Sequence, residues 1–252
     1  MPNSLPKLDV SATTHRGLVR HTNEDAIMVG TWRGFGDEMS HSATYAAFSN
    51  VVLAIADGLG GHSAGDVASR IVIDGIIAQS AELTVENVEG ISGMPAIIDD
   101  RLRLKATSDP SLRGMGSTLA MAVVSASAIT VLNVGDSRVY LSEGSHEMKQ
   151  ISTDDKPAPP PGSTIHRTSH LVTQALGGAS LRRGHLRPHV VNLNTLMPWT
   201  LLLCSDGVTD FVDENILKTQ IMLADCEASN IVEMALQGGG ADNISAIIAR
   251  CR

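Results

Sequence analysis

This sequence predicts a mixed fold, with short, fully apolar strands alternating with amphipathic helices, and three observations carry that expectation. Residues 51–56 (VVLAIA) are apolar at every position and too few for a helix, the pattern of a strand buried on both faces. Residues 117–124 and 128–134 are two more such runs, and the spacer Ser125, Ala126, Ser127 between them reads as the turn of a β-hairpin. Between the strands, Ala68, Ile71, Val72, Gly75, Ile76 and Gln79 fall close to i, i+3, i+4, i+7, so an amphipathic helix is expected to pack on the sheet.

Composition narrows the class. The 252 residues are 43% hydrophobic and 18% charged, enough apolar matter for a proper core, and we read residues 1–252 as one domain. A formal net charge of −8 with no dense Lys/Arg block argues against nucleic acid as a partner. The three cysteines, Cys204, Cys226 and Cys251, lack CxxC spacing, which suggests neither a disulfide framework nor a zinc knuckle and fits a reducing, cytoplasmic compartment. The start MPNSLPKLDV has no basic-then-apolar signal pattern, and no window approaches the ~18 uninterrupted apolar residues of a membrane span. A soluble protein without membrane association is expected.

Taken in order, residues 8–14 alternate as a strand should. The polar stretch after them holds Arg20, Glu24 and Asp25, a combination found most often in solvated loops. Residues 30–50 look like an irregular or hairpin insertion. After the helix that follows Ser69, a second helix is expected over 90–107, marked by Ile97, Ile98, Leu102 and Leu104, with Pro95 tolerated only in a first turn. Residues 139–141 read as a continuation of the run 128–134, and 146–152 as one more strand. The segment TDDKPAPPPGST then excludes ladder pairing and predicts an extended, exposed loop. Residues 200–204 (TLLLC) form a buried strand, with Cys204 as core packing. Asp213 is expected to cap a helix to about residue 224, a further helix covers 229–236, Gly238 to Gly240 stop it, and 244–249 make the last strand.

The chemical signal is a coincidence of position. Asp57, Asp136, Asp206 and Asp242 each stand where a strongly apolar strand meets a glycine- or asparagine-containing turn. Carboxylates gathered together repel one another and raise their own pKa values unless a cation neutralises them, so the pattern implies bound metal. Oxygen donors without His or Cys at ligand spacing point to Mg²⁺, Mn²⁺ or Ca²⁺ rather than zinc. Two such ions about 3.5–4 Å apart can activate a bridging water to attack phosphorus. No GxxxxGK[ST] loop or GxSxG elbow is present, and Ser63, Ser137 and Ser205 read as hydroxyl caps rather than nucleophiles.

The ordered set RHTNED, ADGLGGHSAGDVAS, GMGSTL, VGDSRVY, TDDKP, LVTQALGG, LLLCSDGVTD and GGADNIS resembles the metal-dependent protein serine/threonine phosphatases of the PP2C (PPM) family in their bacterial form, over residues 13–249. The resemblance implies an α+β, four-layer αββα sandwich: two antiparallel sheets flanked by helices, with a binuclear Mn²⁺ or Mg²⁺ site at one end. It also implies hydrolysis of phosphoserine and phosphothreonine by a metal-activated water. Asp57 resembles the aspartate that bridges both ions, the Gly58 carbonyl a ligand of one, and Asp206 and Asp242 the remaining direct ligands. Asp136 matches the aspartate that, with Asp206, binds a third, weaker ion. Glu24 and Asp25 match acidic positions that hold metal-bound waters, Asn243 a supporting position, and Arg20 the arginine that grips the substrate phosphate.

Three departures from the family pattern stand out. Leu59 occupies the place of a histidine that animal members carry, a position that is usually apolar in bacterial members too, and His62 is a substitute only by proximity. Asp154-Asp155-Lys156-Pro157 replaces the family's DHKP, with Asp155 at the histidine. The segment 157–170 is short and proline-rich where typical bacterial relatives place a longer flap, so an open site with weaker third-metal binding is expected. The expected partners are phosphorylated proteins, targets of a Ser/Thr kinase. The competing reading is a catalytically silent module of the same fold that binds a phosphoprotein without hydrolysing it.

Overall fold

The computed structural model describes residues 5–46, 48–60, 64–144, 147–157, 171–178 and 186–252. Its strands are β1 (Lys7–His15), β2 (Asp25–Val29), β3 (Trp32–Phe35), β4 (Glu38–Ala46), β5 (Val51–Leu59), β6 (Gly116–Ser117), β7 (Leu119–Val124), β8 (Ala128–Val134), β9 (Arg138–Glu143), β10 (Lys149–Gln150), β11 (Leu176–Gly177), β12 (His189–Asn194), β13 (Trp199–Cys204) and β14 (Ile244–Cys251). Its helices are α1 (Ala64–Ile77), α2 (Val88–Ser108), α3 (Asp206–Thr209), α4 (Glu214–Ile221) and α5 (Ala228–Gln237).

The strands build two antiparallel sheets. One runs β10-β9-β13-β14-β1-β4, and the other runs β11-β6-β5-β7-β8-β12 with β2 and β3 joined through β5. Three apolar clusters separate four layers. Alternate residues of β5 divide between them: Val52, Ala54 and Ala56 face α1 and α2, while Val51, Leu53 and Ile55 face the opposite sheet. On β13, Leu201 and Leu203 meet that central cluster, and Leu202 and Cys204 pack under α4 and α5. These strands are apolar throughout because each side of them is an interior. The α+β sandwich with flanking helices is thus present. Among the described residues, no helix is long and apolar enough to cross a membrane.

Several expectations need correction. Residues 30–50 are no insertion: β3 pairs β2 in one sheet, whereas the nine residues of β4 pair β1 in the other. The run 128–134 does not continue into 139–141 either. Gly135, at φ +96°, turns the chain out of one sheet, and β9 belongs to the other. Pro95 lies in the body of α2 rather than its first turn. The buried face of α2 is Ile91, Met94, Pro95, Ile98 and Leu102, while Ile97 and Leu104 are exposed. The expected strand 146–152 shrinks to β10, and residues 145–146 lie outside the described part. Asp213 does cap α4, accepting from the backbone N–H groups of Asn215 and Ile216.

Candidate metal centre

The site forms where the ends of both sheets meet. Asp57 lies within β5 rather than beyond it, at the point where pairing passes from β7 to β6. The intervening Thr118 fixes this break: its N–H donates to the Asp57 carbonyl at 2.8 Å, and its Oγ1 accepts from the Asp57 N–H at 3.2 Å. Asp25, on β2, stands directly opposite Asp57 in the strand register. From the other sheet, β13 delivers Asp206 at the start of α3, and the loop before β14 delivers Asp242.

Glycine makes the close approach possible. A Cβ on Gly58 would run into the carbonyl of Gly65, and one on Gly65 would meet the Glu24 carboxyl at 2.8 Å. The first turn of α1 therefore seats directly on the Asp57–Gly58 strand and on Glu24, which no side chain would permit.

Asp25 is 2% exposed and sits in a buried polar web. Its Oδ2 accepts from Ser205 Oγ at 2.9 Å and Ser245 Oγ at 2.6 Å; Ser245 also bonds Thr14 Oγ1, which accepts from Asn23 Nδ2. Its Oδ1 is buried without a protein partner. Ser205 stands at the head of α3, yet its hydroxyl serves Asp25 and accepts the Ser245 N–H instead of capping the helix. Ser137 likewise bonds Thr118 rather than a helix end, and Ser63 and His62 lie outside the described residues. The sequence held no sign of this web, since Thr14, Ser205 and Ser245 are small hydroxyl residues on three separate strands or strand ends.

The electrostatics follow from crowding. Burial, followed by the fields of Asp25, Asp206, Asp136 and Asp242, holds the Asp57 carboxyl well above the ordinary carboxylate range. Burial also pushes Asp25 up to about 7, with Asp206 and Asp242 adding to it, although the Ser245 and Ser205 hydroxyls pull the other way. Asp206 rises to about 6, from burial first and then Asp136, Asp242 and Asp210, while a hydrogen bond with Asp57 works against the rise. Five carboxylates from distant parts of the chain thus act on one another in a single pocket of charge.

Two basic residues reach this pocket. Arg20 Nη2 holds Asp242 Oδ2 at 2.7 Å, and Lys156 Nζ lies 3.1 Å from Asp136 Oδ2. Asn243 fixes the loop that carries Arg20: its Nδ2 donates to the carbonyls of Arg16 and Thr22, and its Oδ1 accepts from the Glu24 N–H. Glu24 is half-buried, and burial raises its pKa against the pull of Arg20. Among the described residues, no three acidic, His or Cys side chains form a closed ligand cage. The donor chemistry nonetheless suits a hard divalent cation. It is all oxygen, it is short of positive charge around Asp57, and it includes the orphaned Asp25 Oδ1.

The Asp155 position is also resolved. Its Oδ2 accepts from the Gly135 N–H at 2.8 Å and Gln174 Nε2 at 2.7 Å, and its Oδ1 pairs with His189 Nε2 at 2.9 Å. Residues 154–156 form a loop as expected, but a pinned and only partly exposed one. Residues 158–170, which include nearly all of the short flap segment, lie outside the described part.

Comparison with known proteins agrees with this architecture. The profile of protein phosphatase 2C matches residues 37–236. The serine/threonine protein phosphatase PstP of Mycobacterium tuberculosis is 31% identical over 96% of this chain, which spans 45% of that relative's length. The serine/threonine phosphatase stp of Listeria monocytogenes is also 31% identical, over 93% of this chain and 92% of its own. The crystal structure of the PstP catalytic domain in complex with two manganese ions superposes with a TM-score of 0.78 at 26% identity, covering 98% of this chain and 99% of that one. With a profile match across most of its length, two sheets and flanking helices in the same arrangement, and acidic strand ends gathered at one edge, this chain belongs to the protein phosphatase 2C family.

Proposed function

We propose that this chain is a cytoplasmic protein phosphatase that hydrolyses phosphoserine and phosphothreonine in phosphorylated protein targets of a Ser/Thr kinase. The observation that carries the reading is the convergence of Asp25, Asp57 and Asp206, whose mutual repulsion a bound cation would relieve. Asp57, the Gly58 carbonyl, Asp206 and Asp242 would hold two Mn²⁺ or Mg²⁺ ions. When bound, such ions make water acidic enough to serve as a nucleophile near neutral pH and offset phosphate charge.

The chain's own residues do the rest. Glu24 and Asp25 orient water within the site, and the hydroxyls of Ser205 and Ser245 keep the Asp25 carboxylate aimed by occupying its Oδ2. Arg20 is half-exposed beside Asp242, so its planar guanidinium can meet two phosphate oxygens at once. Asn243 keeps the loop bearing Arg20 in register with Asp242. Leu59 offers no proton, so no side chain at that position protonates the leaving alkoxide.

The deciding test is steady-state hydrolysis of a phosphothreonine peptide and of an aryl phosphate, each with Mn²⁺ and after chelation. Turnover of both that disappears on chelation is expected. Tight phosphopeptide binding with no turnover under any metal condition would instead identify a silent binding module.

A further inference from the structure

Asp136 differs from Asp25, Asp57 and Asp206 in having a cation from its own chain, and from Asp242 in that this cation is a largely buried lysine rather than the half-exposed Arg20. Asp136 is 3% exposed, and Lys156 Nζ forms an ion pair with its Oδ2 at 3.1 Å, outside hydrogen-bonding geometry. Asp206 and Asp210 also act on this ammonium electrostatically, at longer range. An ammonium paired with a buried carboxylate occupies the kind of place a small cation would take.

This placement is built, because the strap that carries Lys156 is fastened residue by residue to the corner that carries Asp136. Asn133 Nδ2 donates to the Thr153 carbonyl at 2.7 Å, and the Thr153 N–H returns a bond to Asn133 Oδ1 at 3.1 Å. Arg138 clasps Asp154 through Nε and Nη2, the latter at 2.7 Å. The Asp155 N–H donates to the Gly135 carbonyl at 3.0 Å while its carboxylate accepts the Gly135 N–H. Lys156 is the next residue, and it falls on Asp136. A lysine side chain is long enough to wander, but a strap held at three successive residues leaves this ammonium little choice of partner.

We propose that Lys156 is a built-in counter-cation that fills the Asp136 end of the carboxylate cluster, so that divalent ions bind at Asp57, Asp206 and Asp242 but none binds on Asp136. This rests on the metal-centre reading above and sharpens it. The cluster is divided into one part neutralised from outside and one neutralised by the chain itself.

Isothermal titration of the full chain with Mn²⁺ tests this by stoichiometry. The wild type and Lys156→Arg should bind the same number of ions. Lys156→Met should bind one more per chain, and Asp136→Asn added to Lys156→Met should remove it again. Asp136→Asn alone should leave the wild-type number unchanged; loss of an ion in that variant overturns the proposal, as does an unchanged number in Lys156→Met. Circular dichroism and the Tm of each variant establish that it is folded, and if Lys156→Met does not fold, the Asp136→Asn result decides alone. A wild type that binds no Mn²⁺ would instead refute the metal centre itself.

Discussion

Two groups of carboxylates share one end of this molecule and are handled in opposite ways. Asp25, Asp57 and Asp206 are packed together with serine hydroxyls and one another, and their proton affinities rise. Asp154 and Asp136 lie close by, and each has a basic partner, Arg138 and Lys156; Asp242, whose partner Arg20 is half-exposed, stands between the two groups. A buried carboxylate paired to a guanidinium or ammonium holds structure together, whereas a buried carboxylate crowded by others stores repulsion that only a cation or a proton relieves. The difference teaches that burial and acidity alone do not make a metal centre; the missing counter-charge does.

The sharpest way to break this comparison is Asp57→Asn. With Mn²⁺ present, kcat on a phosphothreonine peptide should fall by about 10³-fold, in the range of lost electrostatic contributions at reacting centres. In the absence of metal the same variant should be more stable than the wild type at alkaline pH, because one source of repulsion is gone. Wild-type turnover, or a lowered Tm without metal, contradicts the assignment.

On the paired side, Asp154→Ala leaves the mostly buried Arg138 guanidinium without its bidentate partner and should cost about 3 kcal/mol in urea unfolding. A loss below about 0.5 kcal/mol would mean that this ion pair carries no more than a surface one does.

The pH response of the metal-free protein reads the crowded group directly. Asp25 and Asp206, raised from 3.8 to about 7 and about 6, keep protons in the folded chain that the unfolded chain has already released. The folded state therefore binds more protons across that window, and the stabilisation, full below the unfolded value, is lost as pH rises through 6 and 7. The Tm without metal should fall between about pH 5 and about pH 8, and saturating Mn²⁺ should flatten the fall. A Tm that climbs over the same range without metal contradicts the crowding.

The smallest expected effect provides the reference. Asp213 is an exposed carboxylate that caps α4 through two backbone N–H groups, with no crowding and no buried partner. Asp213→Ala should cost about 1 kcal/mol, and its activity should match the wild type.

How much of this was legible in the sequence depends on the range of the interaction. Strand interiors such as residues 51–56 announce themselves because burial on both faces removes every polar residue, and the cap at Asp213 is a local contest for backbone N–H groups. Asp206 and Asp242 could be marked at strand ends by the same local logic, and Asp57, which lies inside β5, at the close of its apolar run. The turn at Gly135 that moves the chain from one sheet to the other was hidden, because apolar residues on both sides of it suit either sheet equally well.

By itself the sequence determined the fully buried strands and most of the helices, which residues carry charge, and through the order of its motifs, which family they resemble. Only the tertiary structure decided which charges meet. Asp25 comes to face Asp57 through strand register, Ser205 and Ser245 reach Asp25 across 180 and 220 residues of chain, and Lys156 rather than solvent meets Asp136. The physical reason is that local periodicity reports burial of apolar surface, which is additive along the chain, whereas the sign and strength of an electrostatic contact depend on distances that only the packed sheets define.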